Sequence, residues 1–188
     1  SKNKTCRKNK KWHQNKIARM KFSMGLFVIY FGTKKKYDDI AHHTIWMGKR
    51  YEGLLNDIFN NQILADDFSL YLHRPTATDR SMAPPNNDCF YVLSPVPNLK
   101  KPLNWKKFGK IYQKKILDAL EKTILPGLNE NLKVCFHMSP DDFKQDYNSL
   151  YGSGFSISPI FTQSAWFRFH NKSENFKNLY FVGAGYHP

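Results

Sequence analysis

The chain has 188 residues, of which 41% are hydrophobic and 15% aromatic, so it has enough apolar material for a buried core and too much for a disordered chain. Its formal charge is +14, and residues 1–21 contain nine Lys or Arg and no Asp or Glu. Three cysteines, Cys6, Cys89 and Cys135, are odd in number and far apart, which excludes a disulfide framework and favours a reducing cytosol.

The basic segment 1–21 has three interpretations: a solvated terminus, a surface for anionic lipid, or a surface for nucleic acid. No zinc-finger, homeodomain or RNA-recognition signature accompanies it, so we expect no nucleic-acid partner. The longest apolar run has eight residues, far fewer than the ~20 that a helix needs to span a bilayer. With no signal peptide visible, the sequence predicts a cytoplasmic protein that does not cross a membrane.

The first half of the chain predicts strands interrupted by one helix. Residues 24–31 are a continuous apolar run, which predicts a buried strand ending at Gly32. Apolar residues at helical spacing predict an amphipathic helix over 51–59. Pro95 and Pro97 predict that the last strand lies at a sheet edge or ends there. The remaining strands of this half are predicted over 41–47, 68–72 and 90–96.

The second half is dominated by one long helix. An apolar stripe predicts it over 105–125, where Pro126 and Gly127 stop it. A strand is predicted over 132–138 and a helix over 140–148, and the apolar residues 179–182 predict a buried strand near the end. Strands and helices in this irregular order indicate an α+β fold with a mixed or antiparallel sheet.

No constellation of side chains identifies a nucleophilic or metal site. His42 and His43 are adjacent in a predicted strand, where neighbours point to opposite faces, so we expect one inward and one outward histidine and no metal. No catalytic base is assigned. Gly183, Ala184 and Gly185 follow an apolar run, where glycines let the backbone approach a planar or phosphate-bearing ligand, or form an ordinary strand-to-helix turn.

Long runs of the sequence carry a family likeness. They are SMGLFVIYFG (23–32), AHHTI (41–45), DFSLYLHRPTATD (67–79), YVLSPVPNL (91–99), YGSGFSISPIFTQSAWFR (151–168) and NLYFVGAGYHP (178–188). In their content, order and intervals these runs resemble the bacterial and fungal phytoene desaturases. Two positions depart from the family pattern: Tyr186 stands where the family commonly has Thr, and Phe169 where it commonly has Pro.

The resemblance implies a flavoprotein fold related to that of the amine oxidases. It implies that residues 22–170 are a central substrate-binding domain with a mixed or antiparallel sheet and helices. Residues 171–188 would begin the returning strand of a Rossmann-like FAD-binding domain, and residues 1–21 would form a basic N-terminal segment. The family's N-terminal Gly-rich fingerprint is not in this sequence, so we expect this stretch alone to be inactive.

The resemblance also assigns site residues. By position, Gly183, Ala184 and Gly185 would lie against FAD, with His187 and Pro188 beside them. A second group of aromatic residues has two interpretations, as walls of the polyene tunnel or as ordinary core; these residues are Phe155, Phe161, Trp166 and Phe167.

The implied reaction is removal of a hydride and a proton from a long isoprenoid hydrocarbon, with FAD as the acceptor. A substrate dissolved in lipid would give the basic surface a use in peripheral docking on a membrane. A related carotenoid isomerase or ketolase is an alternative within the same superfamily. The alternative from another class is a non-catalytic basic module that binds anionic lipid or nucleic acid through residues 1–21.

Overall fold

A computed structural model describes residues 14–174 and 176–187. The chain divides into two compact units. Met24–Gly154 form the larger unit, and the smaller unit is drawn from Ser1–Ser23 and Phe155–Pro188. Residues 1–13 of the basic segment lie outside the described residues, as does Pro188 of the predicted flavin contacts.

Five antiparallel strands form one open sheet in the larger unit, in the order β2-β3-β4-β1-β5. Each strand of the sheet was predicted from apolar runs or from alternation, so the α+β class with an antiparallel sheet is confirmed. The strands are β1 (Gly25–Thr33), β2 (His43–Trp46), β3 (Leu70–His73), β4 (Asp88–Val96) and β5 (Leu132–Met138).

The helices include α1 (Gln14–Arg19) in the smaller unit, whereas the others belong to the larger unit. Asn104 caps the longest helix, because its side chain accepts a hydrogen bond from the amide of Lys107 at 3.0 Å. Within the described residues, no helix is both long and apolar enough to span a bilayer. The helices of the larger unit are α2 (Tyr51–Asn56), which continues as a π-helical turn (Asp57–Asn61), α3 (Trp105–Thr123), α4 (Leu128–Asn131) and α5 (Pro140–Asp146).

The core lies between α3 and one face of the sheet. In β3 and β4, buried and half-buried residues alternate, so every second side chain points into this core. Phe27 of β1 stacks on Trp105 with ring centroids 5.3 Å apart and meets Tyr112 edge-on at 5.1 Å. The Tyr112 hydroxyl is 2.8 Å from the Ser94 hydroxyl, so this polar group is buried with a partner.

One detail of the strand predictions was wrong. β1 does not end at Gly32, since Gly32 pairs with Cys89 and the strand continues to Thr33. Of the two alternatives predicted for β4, the second is confirmed: β4 lies between β3 and β1 rather than at an edge, and it ends at Val96. Pro95 is tolerated there because the register with β3 stops at Leu93, so the amide hydrogen that proline lacks is not needed on that side.

The predicted buried strand over 179–182 was also wrong. Tyr180 forms only an isolated bridge with Lys172, and Val182 is 92% exposed. An apolar run becomes a buried strand only where neighbouring strands flank it. Within the described residues of the smaller unit, this segment has bridges rather than a sheet beside it.

A buried ion pair joins the end of β3 to the start of β4. The side chains of Arg74 and Asp88 are 2% and 0% exposed, and Arg74 Nε lies 3.1 Å from Asp88 Oδ2. Asp88 also accepts hydrogen bonds from the amide of Tyr37 at 2.7 Å and from the hydroxyl of Thr76 at 2.6 Å. Arg74 donates to the carbonyl of Ile40 at 2.8 Å. These bonds hold the loops after β1 and β3 against the sheet.

Replacing Arg74 should destabilise the protein strongly. Arg74→Met leaves the carboxylate of Asp88 buried without its cation, which should cost roughly 3–5 kcal/mol in the free energy of unfolding. Urea unfolding followed by tryptophan fluorescence measures the change. Arg50→Met is the control, because Arg50 pairs with Asp57 and Asp67 at the surface, where its side chain is 56% exposed. If both variants lose the same free energy of unfolding, the buried ion pair stabilises the protein no more than the surface pair does.

Candidate functional site

A glycine turn lies near the end of the smaller unit. Gly183 has φ +132, a conformation that side-chain-bearing residues rarely adopt. A Cβ atom on Gly185 would lie 2.5 Å from the Ser156 hydroxyl, so no larger residue fits there without movement. Gly183 and Ala184 are exposed, whereas Gly185 is buried. The turn therefore needs its glycines for two different reasons, a backbone conformation and a close approach.

A cavity of about 350 Å³ lies in the same unit and contains two of the predicted site residues. Trp166 and His187 have ring centroids 6.4 Å apart, and Trp166 lies 4.8 Å from His170. His170 Nε2 is buried and has no hydrogen-bond partner among the described residues. The cavity is lined by Trp166, His170, Asn171, Lys172, Ser173, Glu174 and His187.

Four aromatic residues were predicted to be either walls of the polyene tunnel or ordinary core, and none of them is buried in this structure. Phe161 and Phe167 contact each other, with ring centroids 6.1 Å apart. No ring contact joins Phe155 to the other three within the described part of the chain. Their exposed fractions are 46% for Phe155, 85% for Phe161, 68% for Trp166 and 53% for Phe167. In the described unit these four side chains are therefore exposed, and their role as walls of a tunnel stays a prediction.

A row of aromatic side chains crosses the sheet of the larger unit, on the face opposite α3. The antiparallel register pairs one ring from each strand with the next: His43 with His73, His73 with Tyr91, Tyr91 with Tyr30, and Tyr30 with Phe136. We call these five residues the aromatic row. Four gaps between strands of ~4.8 Å each give the row a length of about 19 Å.

Neighbouring rings of the aromatic row are close enough to contact each other. The centroids are 5.2 Å apart for His43 and His73, 4.7 Å for His73 and Tyr91, 6.0 Å for Tyr91 and Tyr30, and 5.1 Å for Tyr30 and Phe136. Such ring pairs stabilise a sheet beyond the area that they bury. Phe136 remains 55% exposed, so the row presents apolar surface that the chain itself does not cover.

The titratable groups in the middle of the aromatic row are held in their uncharged forms. Burial, together with a hydrogen bond to Tyr71, raises the pKa of Tyr91 to about 12. Burial also raises the pKa of Tyr30. For His73, burial first and then the nearby His42 and His43 lower the pKa below its ordinary value. Near neutral pH these three side chains are therefore uncharged, which suits contact with an apolar ligand.

Sequence reasoning did not identify the aromatic row. The sequence nonetheless contains a pattern that indicates it. In β3, Tyr71 and His73 alternate with core residues, and in β4, Tyr91 follows the core residue Phe90. Alternation alone shows which side chains share the second face of one strand. Which strands are neighbours, and at what register, is decided by the folded sheet.

His42 is half-buried and His43 is exposed, as the sequence predicted, but the strand begins later than predicted. β2 begins at His43, so His42 lies outside the strand and the rule of opposite faces does not apply to the pair. Ring nitrogens of His42, His43 and His73 all lie within 4.8 Å of one another. Both neighbouring histidines are hydrogen-bonded, His43 to Tyr71 and His42 to Thr78 and His73.

Comparison with known proteins gives relatives along most of this chain, although no family model matches it. It is 48% identical over 169 residues to a lycopene-forming phytoene desaturase of a Paracoccus species, covering 89% of this chain and 34% of that protein. It is 46% identical over 184 residues to a neurosporene-forming phytoene desaturase of Cereibacter sphaeroides, covering 95% and 35%. A zeta-carotene-forming phytoene desaturase of Myxococcus xanthus is 36% identical, with 90% and 33% covered.

The chain spans about a third of the length of the curated relatives that it matches. The resemblance is therefore confirmed: over the third of their length that it matches, this chain is similar to phytoene desaturases, which is consistent with a fragment of a carotenoid desaturase.

Proposed function

We propose that this chain is part of an FAD-dependent carotenoid desaturase, an oxidoreductase of carotenoid biosynthesis. The complete protein would remove a hydride and a proton from a long isoprenoid hydrocarbon and so extend its conjugated double bonds. The names of the relatives support this reaction class, since each is a phytoene desaturase. The observation that carries the proposal for this chain is the aromatic row, a partly exposed surface of ring faces about 19 Å long.

A polyene hydrocarbon offers no polar atom to bind, so the site must hold it by apolar contact and by shape. The row provides ring faces at regular spacing from His43 to Phe136. Its polar atoms are partnered in part, because Tyr91 shares a hydrogen bond with Tyr71, whose hydroxyl lies 2.6 Å from His43 Nδ1. A hydrocarbon covering these groups would therefore not leave their hydroxyls without partners. The row would position the polyene and exclude water from it.

The smaller unit offers residues for the flavin. We propose that Gly183, Ala184, Gly185 and His187 contact FAD as part of a Rossmann-like domain, together with Pro188, which lies outside the described residues. The fit is favourable: a Cβ atom on Gly183 would meet only the Tyr186 ring at 4.0 Å, and His170 Nε2 has hydrogen-bonding capacity to spare. Bound FAD would supply the acceptor for the hydride.

The exposed aromatic residues of the smaller unit are further candidates for substrate contact. Exposed apolar side chains in a group mark a surface that binds another apolar body. We propose this role for Phe155, Phe161, Trp166 and Phe167. The division into a substrate-binding domain over 22–170 and a flavin-domain segment over 171–188 likewise remains a prediction.

Removing one ring of the aromatic row should impair desaturation. Phe136→Ser in the full-length protein removes about half of a buried aromatic contact with the substrate, or roughly 1.4 kcal/mol, which corresponds to about a tenfold loss. Phytoene-accumulating cells that express the variant should convert correspondingly less phytoene, as measured by pigment extraction. Phe59→Ser is the matched control, because Phe59 is 44% exposed and lies away from the row. The proposal fails if the full-length protein produces no coloured carotenoid, or if both variants convert phytoene equally well.

Restricting the glycine turn should weaken flavin binding. Gly183→Ala places a side chain at φ +132, and relieving roughly 1–3 kcal/mol of backbone strain moves the turn, so flavin affinity should fall about tenfold. The measurement is flavin absorbance per protein after titration of the full-length apoprotein with FAD. Gly127→Ala introduces comparable strain at φ +77 in the larger unit and should leave flavin affinity unchanged. If the unaltered protein, Gly183→Ala and Gly127→Ala bind FAD with equal affinity, the glycine turn is not part of the flavin site.

We also propose that the protein is cytoplasmic and docks peripherally on a membrane, where its substrate dissolves. The nine basic residues of 1–21 support this, because each Lys or Arg near an anionic surface contributes about 1 kcal/mol. Residues Lys2, Lys4 and Arg7 lie outside the described residues, and their replacement by Gln should lower binding to anionic vesicles at least tenfold.

Vesicle sedimentation tests the docking proposal. The control is a triple replacement of the exposed lysines 34–36 by Gln, which removes the same number of charges from a turn in the larger unit. That control should sediment with anionic vesicles nearly as well as the unaltered protein. If neither triple variant changes sedimentation, or if neutral vesicles bind the protein equally well, segment 1–21 has no part in docking.

A further inference from the structure

Three histidines meet where β2 and β3 pair. His43 and His73 are directly opposite each other in the antiparallel register, and His42 immediately precedes β2. One ring nitrogen from each lies within 4.8 Å of the corresponding nitrogen of the other two. His43 is exposed and the other two are half-buried, so the cluster is open to ions from solvent. Neutral imidazole nitrogens at such separations are typical ligands of divalent transition metals.

The second nitrogen of two of these rings is held by a hydroxyl group. His43 Nδ1 lies 2.6 Å from the Tyr71 hydroxyl, and His42 Nδ1 is hydrogen-bonded with the Thr78 hydroxyl. These bonds fix the orientation of both rings through Nδ1, so the nitrogen that each ring could offer to a metal is Nε2. Metal-binding histidines are usually oriented in this way, by a hydrogen bond on the nitrogen that does not bind the metal.

The closest contact in the cluster is between His42 Nε2 and His73 Nε2, 2.7 Å apart, a distance at which the two nitrogens share one proton. Two nitrogens bound tetrahedrally at ~2.05 Å from one metal would be about 3.3 Å apart. Binding therefore requires loss of that proton and a small separation of the rings. His73 Nδ1 is buried and has no hydrogen-bond partner among the described residues, so rotation of its ring breaks no bond at that atom.

We propose that His42, His43 and His73 bind one zinc ion through their Nε2 atoms, with water in the fourth position. Such an ion would join the short edge strand β2 to β3 and to the turn that carries Thr78. It would lie at one end of the aromatic row, which leaves the uncharged surface of Tyr91, Tyr30 and Phe136 for an apolar ligand. The zinc site does not depend on the proposed desaturase activity.

Metal titration of the full-length protein, without an affinity tag, tests the site. After dialysis against EDTA, Zn²⁺ is added in competition with a chromophoric chelator, and we expect one ion per chain to bind at this cluster. Co²⁺ in place of Zn²⁺ should give the intense visible absorption of a four-coordinate ion. His43→Gln removes one ligand at an exposed position, so the variant should fold, and its Zn²⁺ affinity should be at least about tenfold lower.

His137→Gln is the matched control, because His137 lies on β5 and is bonded to Gln113 rather than to the cluster. It should keep the Zn²⁺ affinity of the unaltered protein. Zn²⁺ should also raise the thermal midpoint of the unaltered protein and of His137→Gln, but not that of His43→Gln. The proposal is overturned if no Zn²⁺ binds in competition with the chelator, or if His43→Gln and His137→Gln bind it equally well.

Discussion

The antiparallel register between β1 and its two neighbours is the constraint on which the rest of the larger unit depends. Because side chains alternate along a strand, one register assigns every residue of β1, β4 and β5 to one of two faces. One face meets α3 and becomes the core around Phe27 and Trp105. The other face must then carry Tyr30, Tyr91 and Phe136 in a line. A slip of one residue would place the tyrosines in the core and the two phenylalanines of β1 on the surface. The same register therefore determines both the core and the aromatic row.

The polar interactions of this unit hold the ends of the strands rather than the middle. Arg74 and Asp88 are buried together, and their bonds to Tyr37 and Ile40 secure the loop after β1. His73 of the histidine cluster is the last residue of β3, and Arg74 follows it directly in the chain. A buried ion pair and a proposed metal site thus lie next to each other in sequence, and both would restrict the same end of β3.

The two units contribute different chemistry to the proposed desaturase. The larger unit offers ring faces and uncharged hydroxyls, which suit a hydrocarbon. The smaller unit offers a glycine turn and a cavity in which His170 Nε2 has no hydrogen-bond partner among the described residues, so a ligand acceptor or donor could bind there. Among the residues that the structure describes, neither unit shows an obvious nucleophilic site or acid–base pair. That distribution agrees with a reaction in which a cofactor accepts the hydride and the protein positions and shields the substrate.

Local pattern determined the elements of this protein. Apolar runs and helical spacing predicted all five strands, α3 and α5, and long sequence runs identified the family. Local pattern could not determine pairing: β4 lies inside the sheet despite Pro95, and residues 179–182 are not a buried strand despite their apolar character. The aromatic row and the histidine cluster also depend on pairing, because their members come from strands far apart in sequence. Periodicity shows which residues of one strand share a face, whereas only the folded sheet brings the faces of different strands together.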